Sequence, residues 1–283
     1  MKSTLRYLLY VGISLLLALL IRIFLFDFYW IPSDSMEPTI MPGDFIMADK
    51  WTYGARIFTN LKFNRDSDPN IKLVPGFRRI QRNDVVLYNF PYRHTWDTIR
   101  MDFNNIMVKR CIGIPGDSLS IIDSYYRVFG VSDTLGYLPE QKQLAIYSGT
   151  LDSIIMRTYP FDTIHFNWNI RDFGPLYVPA AGTTISLTIE NLVLYQKQIV
   201  YETHASVRIE DSSIYINDSL RYDYTFQSNW YFVAGDKVMN SQDSRYTGLI
   251  PEAYISGKAS FVLTSKNRNT RQQRWNRWFK RIK

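Results

Sequence analysis

Two side chains define the chemistry open to this chain. One is the hydroxyl of Ser35, within Ile31-Pro32-Ser33-Asp34-Ser35-Met36-Glu37-Pro38-Thr39-Ile40; the other is the amine of Lys109, within Met107-Val108-Lys109-Arg110-Cys111. A serine hydroxyl is a poor nucleophile until a base takes its proton. The three histidines, His94, His165 and His204, stand in polar stretches with no triad-like neighbourhood and read as surface or loop residues. Lysine is the remaining base, but its pKa of about 10.4 has to fall by several units to work near neutrality. Burial among apolar groups does this by disfavouring the ammonium. Alternation along a strand puts Met107, Lys109 and Cys111 on one face and Val108 and Arg110 on the other, which gives the lysine two weakly polar sulfur neighbours. The residues alone fit an ordinary strand lysine as well. Cys111 reads as a small buried hydrophobe, and as the single cysteine it has no partner for an internal disulfide.

The elements that must position these groups begin with an apolar run. Leu8 to Ile21 holds only apolar, aromatic or small residues, Arg22 interrupts, and Ile23-Phe24-Leu25-Phe26 continues. Leu5 to Phe26 would rise about 33 Å as a helix, enough to cross a bilayer core. Arg22 lies near one end, where it can snorkel to the interface. Lys2 and Arg6 favour a cytoplasmic N-terminus, with everything after residue 27 outside. A cleavable leader is the rival reading, but Phe, Asp, Tyr and Trp follow the run where a small-x-small cleavage site would be needed. A single-pass, uncleaved anchor is therefore expected, and Ser35 follows it where the chain would leave the membrane.

Beyond the anchor the chain is rich in Tyr, Phe, Trp, Ile, Val and Thr, which favours strands. Residues 27–60 read as a loop, a turn or short helix at Ser35, then a strand at Phe45-Ile46-Met47-Ala48 after the turn Met41-Pro42-Gly43-Asp44. Residues 61–80 read as an exposed loop and 91–104 as another. Strands are expected at Asp84–Tyr88, Ile106–Ile112, Tyr231–Ala234 and Ala259–Leu263. Residues 121–229 read as an inserted antiparallel sub-domain, with short strands at Ile185–Ile189, Leu192–Tyr195 and Ser213–Ile216. Asn217-Asp218-Ser219 reads as a plain turn.

The charge balance, 33 basic against 26 acidic side chains, is a property of the tail. Residues 266–283 carry eight Lys or Arg and no acid, so the body without them is near neutral, with 25 against 26. Trp275, Trp278 and Phe279 sit among these cations, a mix that suits an anionic lipid surface or a solvated, frayed end better than a nucleic-acid arm.

The spacing of the motifs resembles bacterial signal peptidase I, the leader peptidase family with a Ser-Lys dyad. Ser-Met-x-Pro-Thr-hydrophobic followed by Pro-Gly-Asp stands as Ser35–Ile40 and Pro42-Gly43-Asp44. Lys-Arg-x-x-Gly-hydrophobic-Pro-Gly-Asp stands as Lys109–Asp117. Gly-Asp followed by Ser-x-Asp-Ser-Arg-Tyr stands as Gly235-Asp236 and Ser241–Tyr246. The resemblance implies a mainly β fold: an antiparallel β-sheet catalytic core with an inserted β sub-domain, preceded by one transmembrane helix. It implies a division into residues 1–26 (anchor), 27–120 with 230–265 (catalytic core), 121–229 (insertion) and 266–283 (tail). It implies Ser35 as nucleophile, Lys109 as general base, the Ser35 amide and Ser33 hydroxyl as oxyanion donors, and Ser241 as the group that orients the lysine. Ile31, Pro32, Met36, Ile40 and Met107 fall where the family lines shallow pockets. Asp236 with Arg110, and Asp243 with Arg245, fall at structural positions. Signal-peptide-bearing pre-proteins, membrane lipids and the secretion translocon are the implied partners, with no cofactor, metal or nucleic acid. Lys237 stands where the family often has Asn, either near the base or facing solvent, and Thr247 where a bulky aromatic is common. A non-catalytic homologue that binds export substrates, and a Ser-Lys protease of repressor-autoprocessing type, are the competing readings. The anchor and the Pro-Gly-Asp turns argue against the second.

Overall fold

The structure, a computed structural model, describes residues 2–60 and 68–283. The Lys2 side chain, and residues 61–67 of the expected loop, lie outside the described part. Helix α1 (Lys2–Phe24) has a stretch, Thr4–Phe24, of mean hydropathy 2.3, and it stands exposed along Thr4–Ile21, meeting the rest of the chain only at its C-terminal end. It is long and apolar enough to cross a membrane.

The helix ends two residues before Phe26 and leads straight into a strand, where a loop was expected. Strand β1 (Phe26–Trp30) pairs with β2 (Asp44–Asp49), from Phe26 opposite Asp49 to Trp30 opposite Phe45. The run Phe-Asp-Phe-Tyr-Trp is aromatic enough to prefer a pleated surface. Lys50 ties the junction: its Nζ donates to the Arg22 carbonyl at 2.8 Å, near the end of α1, and to Asp27 at 3.1 Å. Part of the expected 61–80 loop is also paired, because β3 (Arg56–Phe58) and β4 (Ile71–Leu73) form a hairpin.

The site rests on β5 (Val85–Phe90) and β6 (Asp102–Gly113), which pair with Val86 opposite Lys109. Strand β5 is buried on both faces. Val86, Tyr88 and Phe90 enter the larger apolar core, and Val85 and Leu87 enter a smaller one with Ile31, Met36 and Ile40. The smaller core also takes Ile106 and Val108 of β6, while Met107 and Cys111 face the larger.

Residues after β6 form β7 (Ser118–Ile122), β8 (Tyr125–Val128), helices α2 (Leu138–Ile146) and α3 (Ser153–Met156), and β9 (Phe173–Tyr177), which pairs with β7. Then β10 (Thr184–Ser186) leads into α4 (Ile189–Thr203). Here the strand expected at Leu192–Tyr195 is wrong, since those residues lie inside α4. The apolar run is too short to set a period by itself. The Thr188 hydroxyl accepts from the Asn191 N–H and starts a helix, and Leu192, Tyr195 and Ile199 then share its buried face. Next come β11 (Val207–Glu210), β12 (Ser213–Ile216) and β13 (Ser219–Arg221) in a meander, with Asn217 and Asp218 both at positive φ in the second turn, and β14 (Asp223–Thr225) against β10.

The chain returns through β15 (Trp230–Ala234), α5 (Ser244–Thr247), β16 (Ile250–Pro251), β17 (Ile255–Ser265) and β18 (Lys280–Arg281). The main sheet is antiparallel in the order β1-β2-β17-β5-β6-β15-β16, with β18 added to β17. The basic tail thus neither frays nor lies free. It turns back onto the sheet and places Ile282 in the smaller core.

Candidate active site

The Ser35 turn hangs from β1 by its apolar residues. Ile31, Met36 and Ile40 are buried in the smaller core, and the turn closes through Glu37 N–H to the Asp34 carbonyl and Ile40 N–H to the Met36 carbonyl, both 2.9 Å. The turn into β2 follows at once. Gly43 takes φ +88°, and the Asp44 carboxylate accepts the Met41 N–H at 2.8 Å. The second Pro-Gly-Asp repeats the device, with Gly116 at +95° and Asp117 accepting from Ile114 at 2.9 Å. An arginine holds each aspartate, Arg277 for Asp44 and Arg82 for Asp117.

Lys109 reaches across from β6, and its Nζ lies 2.7 Å from Ser35 Oγ. The lysine is 2% exposed, and burial lowers its pKa to about 8. Asp243, Asp236 and Asp34 pull the other way and Arg245 adds to the fall, yet desolvation dominates. About a tenth of such an amine is neutral at pH 7, against well under a thousandth for a free lysine. The pair has the contact distance and the shifted pKa that nucleophile activation needs.

Behind the pair stand two buried bidentate ion pairs. Arg110 donates to Asp236 at 2.7 and 2.6 Å, and Arg245 to Asp243 at 2.9 and 2.7 Å. Asp243 also accepts the Gly235 N–H at 2.9 Å. Gly235 is where the elements touch most closely: a Cβ there would sit 2.1 Å from Ser241 Oγ and 2.6 Å from the Ser35 carbonyl oxygen. Ser241 is thus adjacent, but its buried hydroxyl makes no hydrogen bond to Lys109. Ser33 is exposed on the rim of the same cleft.

The cleft, about 600 Å³, is lined by all five expected pocket residues, Ile31, Pro32, Met36, Ile40 and Met107, as well as by Ser35 and Lys109. Sequence reasoning did not find Tyr29, Asn104, Asn105, Asn240 or Gln242, which line it too. Strand β15 reaches β6 only from Arg110 to Gly113, so the β6 segment beside the cleft is paired on its β5 side alone.

The signal peptidase pattern, peptidase S26, matches residues 4–264. The chain belongs to the signal peptidase family. Signal peptidase I of Rickettsia felis is 33% identical over 251 residues, covering 88% of this chain and 75% of that protein. Signal peptidase I of Buchnera aphidicola (strain APS) is 26% identical over 255 residues, covering 88% and 72%. Signal peptidase I of Haemophilus influenzae is 26% identical over 272 residues, covering 93% and 72%. As a signal peptidase the chain is a serine endopeptidase, a hydrolase that cleaves signal peptides.

Within this signal peptidase, Lys237 stands beside Ser35, paired with carboxylates and not in contact with the Lys109 amine. Its Nζ bridges the carboxylates of Asp34 and Glu37, on either side of Ser35, and its N–H donates to the Ser35 carbonyl at 3.1 Å. Asn240 grips Asp34 from the other side at 3.0 and 3.2 Å. These bonds hold Lys237 protonated, with its pKa raised by Asp34 first and Glu37 second, and hold Asp34 ionised. Lys237→Met leaves Asp34 and Glu37 unneutralised beside the dyad. Asp34 already raises the Lys109 pKa, so the acid limb of the pH–rate profile should move to higher pH. Both carboxylates are part-exposed, so solvent limits the move to under about one pH unit, and kcat at pH 7 should fall a few-fold. A limb that stays in place or moves down refutes the clamp.

Proposed function

We propose that Ser35 attacks the scissile carbonyl of a signal-peptide-bearing pre-protein while Lys109 takes its proton and then delivers it to the leaving amine. The observation that carries this reading is the 2.7 Å contact of Ser35 Oγ with an almost fully buried lysine amine. The proton leaves Oγ as the C–O bond forms, and the acyl-enzyme is released when water repeats the sequence. The Ser35 amide and Ser33 hydroxyl meet the developing oxyanion, where one donor contributes about 2.7–4 kcal/mol. The bound peptide lies extended along the singly paired edge of β6, adding a strand beside Ile31–Ser35. Its small side chains enter the apolar hollows lined by Ile31, Met36, Ile40 and Met107. Ser241, packed against Gly235 beside the Ser35 carbonyl, orients the amine once substrate tightens the site.

Helix α1 anchors the chain in the inner membrane with its N-terminus in the cytoplasm, and Ser35, eleven residues beyond Phe24 at the end of the helix, works close to the bilayer. The division into anchor, catalytic core, insertion and tail given above belongs to this proposal, as do lipid and translocon contacts.

The test is cleavage of a pre-protein with an Ala-x-Ala site by the full chain in detergent, read by the mass of the released product. A chain that binds the pre-protein and never cuts it refutes the proposal. The base assignment has its own readout. A neutral lysine is required, so kcat/KM should rise with pH through a limb near 8, the folded pKa of Lys109, and flatten above it. A limb near 6.5 that disappears in His94→Ala contradicts Lys109 as base.

A further inference from the structure

The basic tail does work inside the molecule that its composition does not announce. Three of its arginines point into the segment that carries Ser35. Arg268 donates to the Pro32 carbonyl at 2.6 Å, Arg274 to the Pro42 carbonyl at 3.1 Å, and Arg277 to the Thr39 carbonyl at 2.9 Å and the Asp44 carboxylate. The backbone joins in. Lys266 and Gly43 pair through Lys266 N–H to the Gly43 carbonyl at 3.0 Å, so closely that a Cβ on Gly43 would lie 1.9 Å from the Lys266 oxygen.

The far end is pinned as well. Ile282 is buried with Met36 and Ile40, and the main-chain oxygen of Lys283 accepts from Arg110, the neighbour of Lys109, at 3.0 Å. Residues 266–283 therefore span the Ser35 turn from its entry at Pro32 to its exit at Asp44. The segment needs such donors. It is irregular backbone between β1 and β2, and its carbonyls have no ladder to satisfy them. Asp117 is held by Arg82 from nearby in the chain, whereas Asp44 draws its arginine from the tail.

We propose that residues 266–283 form a strap that fixes the Ser35 turn against Lys109, with Arg268, Arg274 and Arg277 as positioning residues. The signal peptidase match stops at residue 264, so the strap lies outside the part shared with the family pattern. The proposal rests on Ser35 as nucleophile for its effect on rate, but not for its effect on the backbone. Lys280 and Arg281 are exposed on β18, and neither side chain makes a hydrogen bond or ion pair with the turn. They separate a strap from a simple need for positive charge.

The experiment compares the full chain with Arg268→Gln/Arg274→Gln, and with Lys280→Gln/Arg281→Gln, which removes the same charge from the outer face. Amide hydrogen exchange over residues 31–44 should rise in the first variant and stay at the wild-type level in the second. A displacement of the turn by about an ångström should lower kcat about ten-fold or more, with KM changed less. Exchange in β5 and β15 serves as the check that the fold is retained. Arg277→Lys, which keeps the charge but loses the forked contact with Asp44, should sit between the two. Unchanged exchange over 31–44 in Arg268→Gln/Arg274→Gln overturns the strap, as does an equal loss in both double variants. Raised exchange with unaltered kcat would leave the strap standing and count against Ser35 as the nucleophile.

Discussion

Ser35→Ala and Lys109→Met should each lower kcat/KM for pre-protein cleavage by about 10³-fold or more, with the fold retained. Alanine at position 35 removes the hydroxyl that the Lys109 amine contacts at 2.7 Å and leaves the cleft otherwise intact. Methionine at 109 keeps the length of the stem and discards an amine whose burial is unfavourable to its charged form, so stability should hold or rise. The double variant should be no worse than the poorer single one, because nucleophile and base act as a unit. Lys109→Arg separates basicity from charge. A guanidinium donates as well as an ammonium but cannot give up its proton in this range, so activity should stay lost. Substantial cleavage by Ser35→Ala or Lys109→Arg, measured on the full chain in detergent, contradicts the dyad.

What could be read from the sequence was what short spacing controls. The two Pro-Gly-Asp turns, the strand that carries Lys109 and the alternation that puts Met107 and Cys111 on the larger core are all local, and each has its expected form. The meeting of Ser35 with Lys109 is not local. It was legible only through the resemblance of three motifs standing in order. Helix α4 was missed because Leu192–Tyr195 carries no period, and the signals that settle it are the Thr188 cap and the spacing out to Ile199. Strand β1 was missed because an aromatic run after a membrane helix looks like interface.

The Lys237 clamp and the tail strap had no local signal at all. Lys237 grips carboxylates some 200 positions away, and the strap's donors meet main-chain oxygens, which every sequence supplies. Composition registered the tail only as surplus charge. Part of that surplus is structural: guanidinium groups turned inward to bond carbonyls look identical, in a count, to guanidinium groups turned toward lipid.

Asp243→Asn should cost about 3–5 kcal/mol of folding free energy, a large share of the about 5–15 kcal/mol that a domain has. Asp243 and Arg245 are both 0% exposed, and the carboxylate is fully used. Oδ1 takes Arg245 Nε at 2.9 Å, and Oδ2 takes Arg245 Nη2 at 2.7 Å and the Gly235 N–H at 2.9 Å. Burial alone would push this carboxyl up; the Arg245 guanidinium and the Gly235 N–H together outweigh it and hold the group ionised. Asparagine must turn an NH₂ toward one set of donors and leaves the arginine charge unpaired in the core. The same change acts on the dyad in a direction that general loosening does not. Among the neighbouring charges Asp243 does most to raise the Lys109 pKa, and Arg245 does most to lower it. With the aspartate neutral and the arginine still present, the Lys109 pKa falls further, so the acid limb of whatever activity remains should move below its wild-type position near 8. Lys237→Met moves that limb up, so the two variants bracket the wild type. Adding Arg245→Met removes the orphaned cation and should recover part of the lost stability, measured by denaturation of the full chain in detergent. Wild-type stability in Asp243→Asn, or a limb displaced upward, would show that the ion pair does not support Gly235 and Lys109 in the way its hydrogen bonds imply.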